Sequence, residues 1–368
     1  MNKIPLYKQI QQSIKEKITS GELRSGDRVP SEQEIMEAYR VSKITVKNAL
    51  IALADEGLVI RIQGKGTFVS PNLLSSNANK PIAPQGPAGN FIGLVIPTMK
   101  TKVIQKLVDN IEYFLKEAGY QLLLHITRES SLEESRAIRN LTDAGVKGII
   151  VFPTEDEKYS ETLLRLSLDN YPFVFIDRFL RNIDTYQIVS DNFGGAYEMV
   201  SYLLNLGHRR IALISPENTN TTIEDRTLGF EKAYIDLGIS IDKSLWCHVP
   251  LHILRTKDSL PYITDFLEKH PQISAAFTLT AEMANMTCLA LKQADSVLAG
   301  DLKLVSFDDP EIPNVPYIIQ DEKRMSQSAV DLLISQIEGE YFPKQIIIPV
   351  NLVFSEDAST MKDVRIRA

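Results

Sequence analysis

The stretch Pro30-Ser-Glu-Gln-Glu-Ile-Met-Glu-Ala-Tyr-Arg-Val-Ser-Lys-Ile-Thr-Val-Lys47, with its continuation to Val69, decides how this chain is built. Ser31 and Glu34 have the spacing of a capping box, each side chain placed to bond the other's amide at a helix start. A short helix with Ile35, Met36 and Tyr39 on one side follows. Arg40-Val41 makes a turn, and Ser42 caps a second helix. That helix carries Val46, Ala49, Leu50 and Leu53 at i, i+3, i+4 and i+7 and stops at Gly57, a residue suited to a left-handed C-terminal position. Two short β-branched runs, 58–62 and 67–69, are joined by Gln63-Gly64-Lys65-Gly66. Helix, tight turn, helix and glycine-tipped hairpin describe a winged helix-turn-helix, which sets a helix N-terminus into a DNA major groove.

The solvent face of the second helix fits that use. Lys43, Thr45 and Lys47 project from the turns left free by the apolar stripe. Cations and a hydroxyl at a helix start suit phosphates and base edges, and the helix dipole adds to the attraction. Lys65, between two glycines, lets backbone and ammonium approach a phosphate or the minor groove. Lysines alone would equally describe a solvated helix face; the order of elements and the hairpin are what point to DNA.

These residues carry a resemblance. Pro30-Ser-Glu-Gln-Glu-Ile35, Ser42-Lys-Ile-Thr-Val-Lys47, Glu56-Gly-Leu-Val-Ile60, Gln63-Gly-Lys-Gly-Thr-Phe-Val69 and the opening Ile4-Pro-Leu-Tyr-Lys-Gln-Ile10 resemble the DNA-binding domain of the GntR family of bacterial transcription regulators. With the helix and wing together, the candidate DNA contacts are Lys3, Ser42, Lys43, Thr45, Lys47, Gln63, Gly64, Lys65, Gly66 and Thr67. The family usually places arginines where Lys43 and Lys47 stand. Lysine keeps the charge and gives up the rigid bidentate fork to guanine.

The 368 residues allow two or three domains, and 44% hydrophobic residues allow a large core. The net charge of −7 is uneven: residues 1–71 hold eleven Lys plus Arg against eight Asp plus Glu, a net of +3, so the remainder carries −10. A basic reader joined to an acidic module follows. Cys247 and Cys288 stand far apart, so no disulfide framework is expected. No long apolar run opens the chain and no stretch is long enough to span a membrane, which predicts a cytoplasmic protein without membrane contact. Leu6, Ile10, Ile14 and Ile18 repeat every four residues and predict a first helix packed on the other two. Residues 72–90 are rich in Pro, Gly, Ser and Asn and form a linker.

From Phe91 the pattern changes. Apolar runs at 92–96, 121–126, 148–152 and 173–176 alternate with helical patterns at 102–118, 132–144 and 159–170. A second series has strands at 187–190, 211–215, 275–278 and 304–307, with helices at 194–206, 225–237 and 281–293. Continuous apolar strands alternating with helices indicate parallel sheets covered on both faces. The fold class expected is therefore α/β, an N-terminal winged helix-turn-helix on 1–71 and a two-lobed domain on 91–359, with 360–368 a tail. The lobes are expected at 91–189 plus 310–338 and at 190–309 plus 339–359. Ligands of such sheets lie beyond the strand C-termini. There stand Asp177-Arg178, Ser190-Asp191-Asn192, Asp308-Asp309 and Gln320, with Arg226 on the helix after 211–215. Arginines and carboxylates converging on one cleft suit a polyol, although any single pair could be a loop cap.

Ile176-Asp-Arg178, Val189-Ser-Asp-Asn-Phe-Gly-Gly195, Leu206-Gly-His-Arg-Arg-Ile-Ala-Leu213, Asp225-Arg-Thr-Leu-Gly-Phe230 and Val305-Ser-Phe-Asp-Asp309 resemble the effector domain of LacI/GalR regulators, which is similar to periplasmic sugar-binding proteins (type I). By position the resemblance puts Asp177, Arg178, Arg226, Asp308 and Gln320 where ribose-type binders hold sugar hydroxyls. Thr98, Asp191 and Thr280 complete the candidate effector site. Thr280-Ala-Glu282 stands where an Asn-Asp pair is usual, and residues 98–104 lack the aromatics that commonly stack on a sugar. Phe152, Phe179 and Trp246 are the candidates for that apolar face.

Enzyme motifs fare poorly. Pro250 breaks the helix that would align His248 and His252 as a metal pair beside Cys247. His208 sits in a turn before a strand, and Gly64-Lys-Gly66 is too short for a dinucleotide fingerprint. Neither a metal nor a cofactor is expected. The combined expectation is a homodimeric repressor of carbohydrate-utilisation genes on a palindromic operator, released by a sugar. The same plan would serve an activator, or a regulator whose ligand strengthens DNA binding. In another class, it would serve a sugar-metabolising or ligand-binding module.

Overall fold

The computed structural model describes residues 6–20, 22–24, 26–55, 58–62, 66–69, 89–155, 160–181, 183–217, 220–256, 259–293 and 302–354. Two compact units divide the chain, Met1–Ala88 and Gly89–Ala368.

The first unit contains α1 (Leu6–Thr19), α2 (Glu32–Tyr39), α3 (Lys43–Asp55) and the antiparallel pair β1 (Val59–Ile62) and β2 (Gly66–Val69). The capping box forms as its spacing demands. Ser31 Oγ accepts the Glu34 amide at 3.2 Å, and the Glu34 carboxylate accepts the Ser31 amide at 2.6 Å. Those bonds from Ser31 hold the Glu34 carboxyl below the usual range. Arg40 ends α2 in the left-handed region at φ 51°, which turns the chain into α3. Ile10, Ile14, Val29, Ile35, Val46, Ala49, Leu50, Leu53, Val59 and Val69 form one core. The chain at 26–29 runs beside β2, with Val29 N donating to Thr67 O and Val69 N to Asp27 O. Nothing in the sequence pattern announced that third extended segment.

In the second unit two six-stranded sheets each bear helices on both faces. The first sheet has the order β13-β7-β6-β5-β3-β4 and the second β14-β12-β11-β10-β8-β9. In chain order the strands are β3 (Phe91–Ile96), β4 (Gln121–Ile126), β5 (Gly148–Val151), β6 (Phe173–Ile176), β7 (Tyr186–Ser190), β8 (Ile211–Pro216), β9 (Trp246–Val249), β10 (Ala275–Thr278), β11 (Lys303–Phe307), β12 (Tyr317–Ile319), β13 (Gln345–Ile348) and β14 (Asn351–Val353). The helices are α4 (Lys102–Glu117), α5 (Ser131–Asp143), α6 (Glu161–Leu168), α7 (Asn192–Asn205), α8 (Thr221–Asp236), α9 (Leu251–Thr256), α10 (Ser259–Lys269), α11 (Ala281–Gln293) and α12 (Glu322–Ile337).

Burial on both faces explains the continuous apolar strands: every residue of β5, β6 and β10 is buried. In the first lobe α4 and α12 bury Leu107, Ile111 and Leu333 against one face, while Ile138, Leu141 and Leu163 cover the other. In the second lobe α7 and α8 lie against one face and α10 and α11 against the other. Gly229 lets α8 approach α7 closely, since a Cβ there would strike the Phe193 carbonyl.

The expected lobe boundaries need correcting at the C-terminal side. Tyr317–Ile319, assigned to the first lobe, pairs with β11 in the second, and Gln345–Ile348, assigned to the second, pairs with β7 in the first. The chain therefore crosses between lobes after β7, after β12 and after β13. Strands of three or four residues carry too little periodicity to say which sheet they join.

Candidate functional site

On the first unit, α3 presents Lys43 and Lys47 to solvent. Among the described residues neither is in an ion pair, so both remain available to phosphate. Ser42 Oγ accepts the Thr45 amide at 3.4 Å and lies 2.9 Å from Thr45 Oγ1, so these two hydroxyls form the cap at the helix start. Gly66 opens β2 opposite Ile62. Lys3, Gln63, Gly64 and Lys65 lie outside the described residues. Thr67 is a correction: it is buried, because the two-residue strand period puts it on the same face as Val69, toward the core. Its side chain has no access to DNA.

The cleft residues of the second unit arise from matching places in the two lobes. Asp177 follows β6 and Asp308 follows β11, and both are left-handed, at φ 66° and 68°. Each amide donates to the neighbouring strand, Asp177 N to Ile188 O at 2.8 Å and Asp308 N to Ile318 O at 2.9 Å. A left-handed residue ends each strand sharply, and aspartate tolerates that conformation better than most side chains.

Between them lies Arg226, 2% exposed on the second turn of α8. Its Nε donates to Asn192 Oδ1 at 2.9 Å and its Nη1 to Leu279 O at 2.5 Å. Nη1 stands 3.5 Å from Asp308 Oδ2, and the guanidinium carbon lies 3.5 Å from the centre of the Phe307 ring. Desolvation pulls the pKa of Arg226 below the ordinary guanidinium range, opposed first by Asp308 and then by Asp177. Burial raises the carboxyl of Asp177, with Arg178 and Arg226 opposing and the Asp308 charge adding to the rise. Two carboxylates thus face one buried guanidinium, and the positions of all three are fixed by backbone and side-chain bonds.

Gln320, after β12, donates Nε2 to Asp308 Oδ1 at 2.6 Å and accepts from Ser190 Oγ at 2.5 Å. Arg178 belongs to the first lobe's wall. Its Nη1 donates to Pro153 O at 3.2 Å, stands 3.5 Å from Glu129 Oε1, and its guanidinium carbon lies 5.1 Å from the Phe152 ring centre. Phe152 is therefore beside the cleft's arginine. Phe179 is not in that contact; its amide donates to Thr221 Oγ1. Trp246 is elsewhere: it begins β9, packs edge-on against Phe230, and lines a cavity of about 290 Å³ with Arg209, Arg210 and Tyr234. That cavity lies at the N-terminal ends of the second lobe's strands, away from the converged polar groups, so it is not the cleft.

The structure brings Arg226, Asp308 and Gln320 into one network, with Asp177 acting on Arg226 through its charge alone and Arg178 flanking it. Thr98, Asp191 and Thr280 stay outside it. Each uses its side-chain oxygen locally, accepting from Lys100 N, Gly194 N and Met283 N respectively, because each precedes or opens a helix or turn. Sequence reasoning missed Asn192, Phe307 and Ser190 as supports. All three sit in the motifs named above, next to residues that were singled out.

The lobes also meet across the cleft. Thr222 Oγ1 donates to Asp177 O at 3.2 Å beside the Phe179–Thr221 bond, while Arg181–Glu224 and Lys102–Glu311 are ion pairs of 2.5 Å each on the rims. Glu282, on α11, is raised by burial, with Lys100 and Glu129 from the first lobe acting on it. His248 bonds Ser215 Oγ at 2.8 Å. No helix among the described residues is long and apolar enough to cross a membrane.

Residues 6–69 match the model of bacterial regulatory proteins of the gntR family. Residues 90–307 match that of periplasmic binding proteins and the sugar binding domain of the LacI family. The chain is 27% identical over 346 residues to an arabinose metabolism transcriptional repressor of Halalkalibacterium halodurans, covering 91% of this chain and 90% of the relative. It is 26% identical to the protein of the same description from Geobacillus stearothermophilus, covering 91% and 92%. Among solved structures, a transcriptional regulator CelR–cellobiose complex superposes with a TM-score of 0.63 at 19% identity, over 85% of this chain and 90% of that one. The Escherichia coli transcriptional repressor ascG gives 0.58 at 21%, over 72% and 97%. These two likenesses speak for the fold.

Proposed function

Because the chain belongs to the family of periplasmic binding proteins and LacI-type sugar-binding domains, and carries a gntR-type head, we propose that it represses carbohydrate-utilisation genes and leaves its operator when a small neutral sugar enters the cleft. It is a DNA-binding transcriptional repressor under effector control, not an enzyme. Arabinose is the first sugar to test, since both relatives named above are repressors of arabinose metabolism.

The observation that carries this reading is the convergence of the bonded Arg226, Asp308 and Gln320 with the buried Asp177 between two lobes, on the same chain as an exposed Lys43–Lys47 helix face. Aligned acceptors and a forked donor fit neighbouring hydroxyls. Cleft closure regulates only if the sugar binds one lobe arrangement better than the other, and DNA must by reciprocity weaken sugar binding by the same factor. A cytoplasmic homodimer with its two heads on a palindromic operator completes the proposal, since two half-sites multiply the effect of any change in head spacing.

In the test, operator sequences are selected in vitro from random duplexes with the full chain, and their affinity is measured by fluorescence anisotropy with and without L-arabinose, D-xylose, D-ribose and cellobiose. The expected result is a two-fold symmetric consensus whose affinity drops with one of the sugars. Selection of no duplex above background, or a consensus whose affinity ignores all four, would defeat the reading.

A further inference from the structure

The two lobes repeat one design, and β7 and β12 are its counterparts. Ile188 of β7 receives the Asp177 amide just as Ile318 of β12 receives that of Asp308. Two residues further on come Ser190 in the first crossover and Gln320 in the second. The next residues, Asp191 and Asp321, each cap a helix, accepting the amides of Gly194 and Arg324 at 2.8 and 2.9 Å. So Ser190 and Gln320 hold equivalent places, and they meet: Ser190 Oγ is 2.5 Å from Gln320 Oε1, with the two residues 3% and 5% exposed.

The orientation of that amide follows from its surroundings. Asp308 Oδ1 is 2.6 Å from Nε2, and a carboxylate only accepts, so the nitrogen faces Asp308 and the carbonyl faces Ser190. The Ser190 hydroxyl supplies the proton to that carbonyl. Met325 Sδ, 3.2 Å from the same hydroxyl, is a weaker acceptor for it.

We infer that Ser190 is a positioning residue for effector binding. Through Gln320 it ties the first crossover to the Asp308–Arg226 pair, and it engages the amide carbonyl while the cleft keeps one amide N–H donor. This rests on the cleft being the effector site. Without the hydroxyl, the Gln320 carbonyl is a buried acceptor lacking its partner, and the amide turns to find another.

The test begins without any sugar. In the full chain labelled with 15N-glutamine, the Gln320 side-chain amide signals are those lost in Gln320→Ala. In Ser190→Ala they shift and broaden; in Ser190→Thr, which keeps the hydroxyl, they stay within a linewidth. Calorimetric titration with L-arabinose, D-xylose and D-ribose follows. Ser190→Ala weakens the sugar that binds by about tenfold in the wild-type background and by less than about twofold in Gln320→Ala, as a shared interaction requires. Unmoved Gln320 signals in Ser190→Ala, or equal losses in both backgrounds, overturn the inference. Wild-type protein that binds none of the three sugars overturns the sugar reading instead, and the amide signals still decide the role of Ser190. If Ser190→Ala does not fold, Ser190→Cys, a weaker donor, is held to the same criteria.

Discussion

Lobe for lobe, the second unit uses one strand order and two left-handed aspartates to build walls of different character. The first lobe offers Arg178, part-exposed, flanked by Glu129 and set near Phe152. The second offers Arg226, buried and stacked on Phe307, with Asn192 and Leu279 O locking its fork. Repetition supplies the frame; the difference divides the labour. Arg226 is held by three partners on one wall, while Arg178 on the other has one hydrogen bond, to Pro153 O, and a 3.5 Å contact with Glu129.

The largest test of that contrast sets Arg226→Ala against Arg178→Ala. Removing Arg226 leaves Asp177 and Asp308 facing each other, so it should cost roughly 3–5 kcal/mol of stability and abolish effector binding. Arg178→Ala should weaken the effector about tenfold and change stability by less than about 1 kcal/mol, as part-exposed pairs do. Thermal unfolding with and without sugar reads both; equal stability losses would erase the distinction between the walls.

Next comes Asp177→Asn. Burial raises the Asp177 pKa, so the folded chain holds that proton more tightly than the unfolded chain, and above the raised pKa the buried charge costs stability. Asparagine removes this cost. Its advantage should be full above the raised pKa and fade as the pH falls through 3.8, the ordinary value, below which the carboxyl is protonated in both states. Effector affinity should fall at neutral pH all the same. Denaturant midpoints of both proteins against pH check it, and a difference that grows on acidification would reverse the sign.

Lys43→Ala and Lys47→Ala sharpen the comparison by changing no residue of either lobe. Each should lower the affinity for a selected operator about tenfold at low salt and flatten the salt dependence by about 0.9 in slope for each phosphate no longer neutralised, with sugar binding unchanged. Anisotropy titrations at several salt concentrations measure it. The smallest effect belongs to the rims. Arg181→Ala and Lys102→Ala should each weaken the effector by about two- to threefold at low ionic strength and by nothing measurable near 1 M salt, where exposed pairs are screened.

The parts legible from sequence were those with local causes. Ser31 and Glu34 announced a helix start, and the β5 and β6 runs announced strands buried on both faces. Asp177 and Asp308 were visible as strand-end carboxylates. What escaped depends on distant partners. Nothing local to Gln345–Ile348 says that it pairs with Ile188 and its neighbours rather than with the second sheet. The hydroxyl of Ser190 becomes a support only because Gln320 arrives from a remote crossover. Thr67 was misread because alternation in a four-residue strand is too short to show which side faces the core. Strand β9 and helices α9, α10 and α12 also went unanticipated.

The late return of β13 has a consequence for how the chain is made. The first lobe's core includes Met325, Ala329, Val330, Leu333 and Ile348, so no nascent chain can complete that lobe until these residues have left the ribosome. The first unit, by contrast, has every member of its core by Val69. At about 5–20 residues per second, synthesis separates the two events by tens of seconds. From the synthesis of β7 until α12 emerges, the apolar face that α12 will cover lacks that cover. Chains terminated before α12 should therefore carry a folded DNA head on an aggregating body, and a chaperone has its longest window on this protein there.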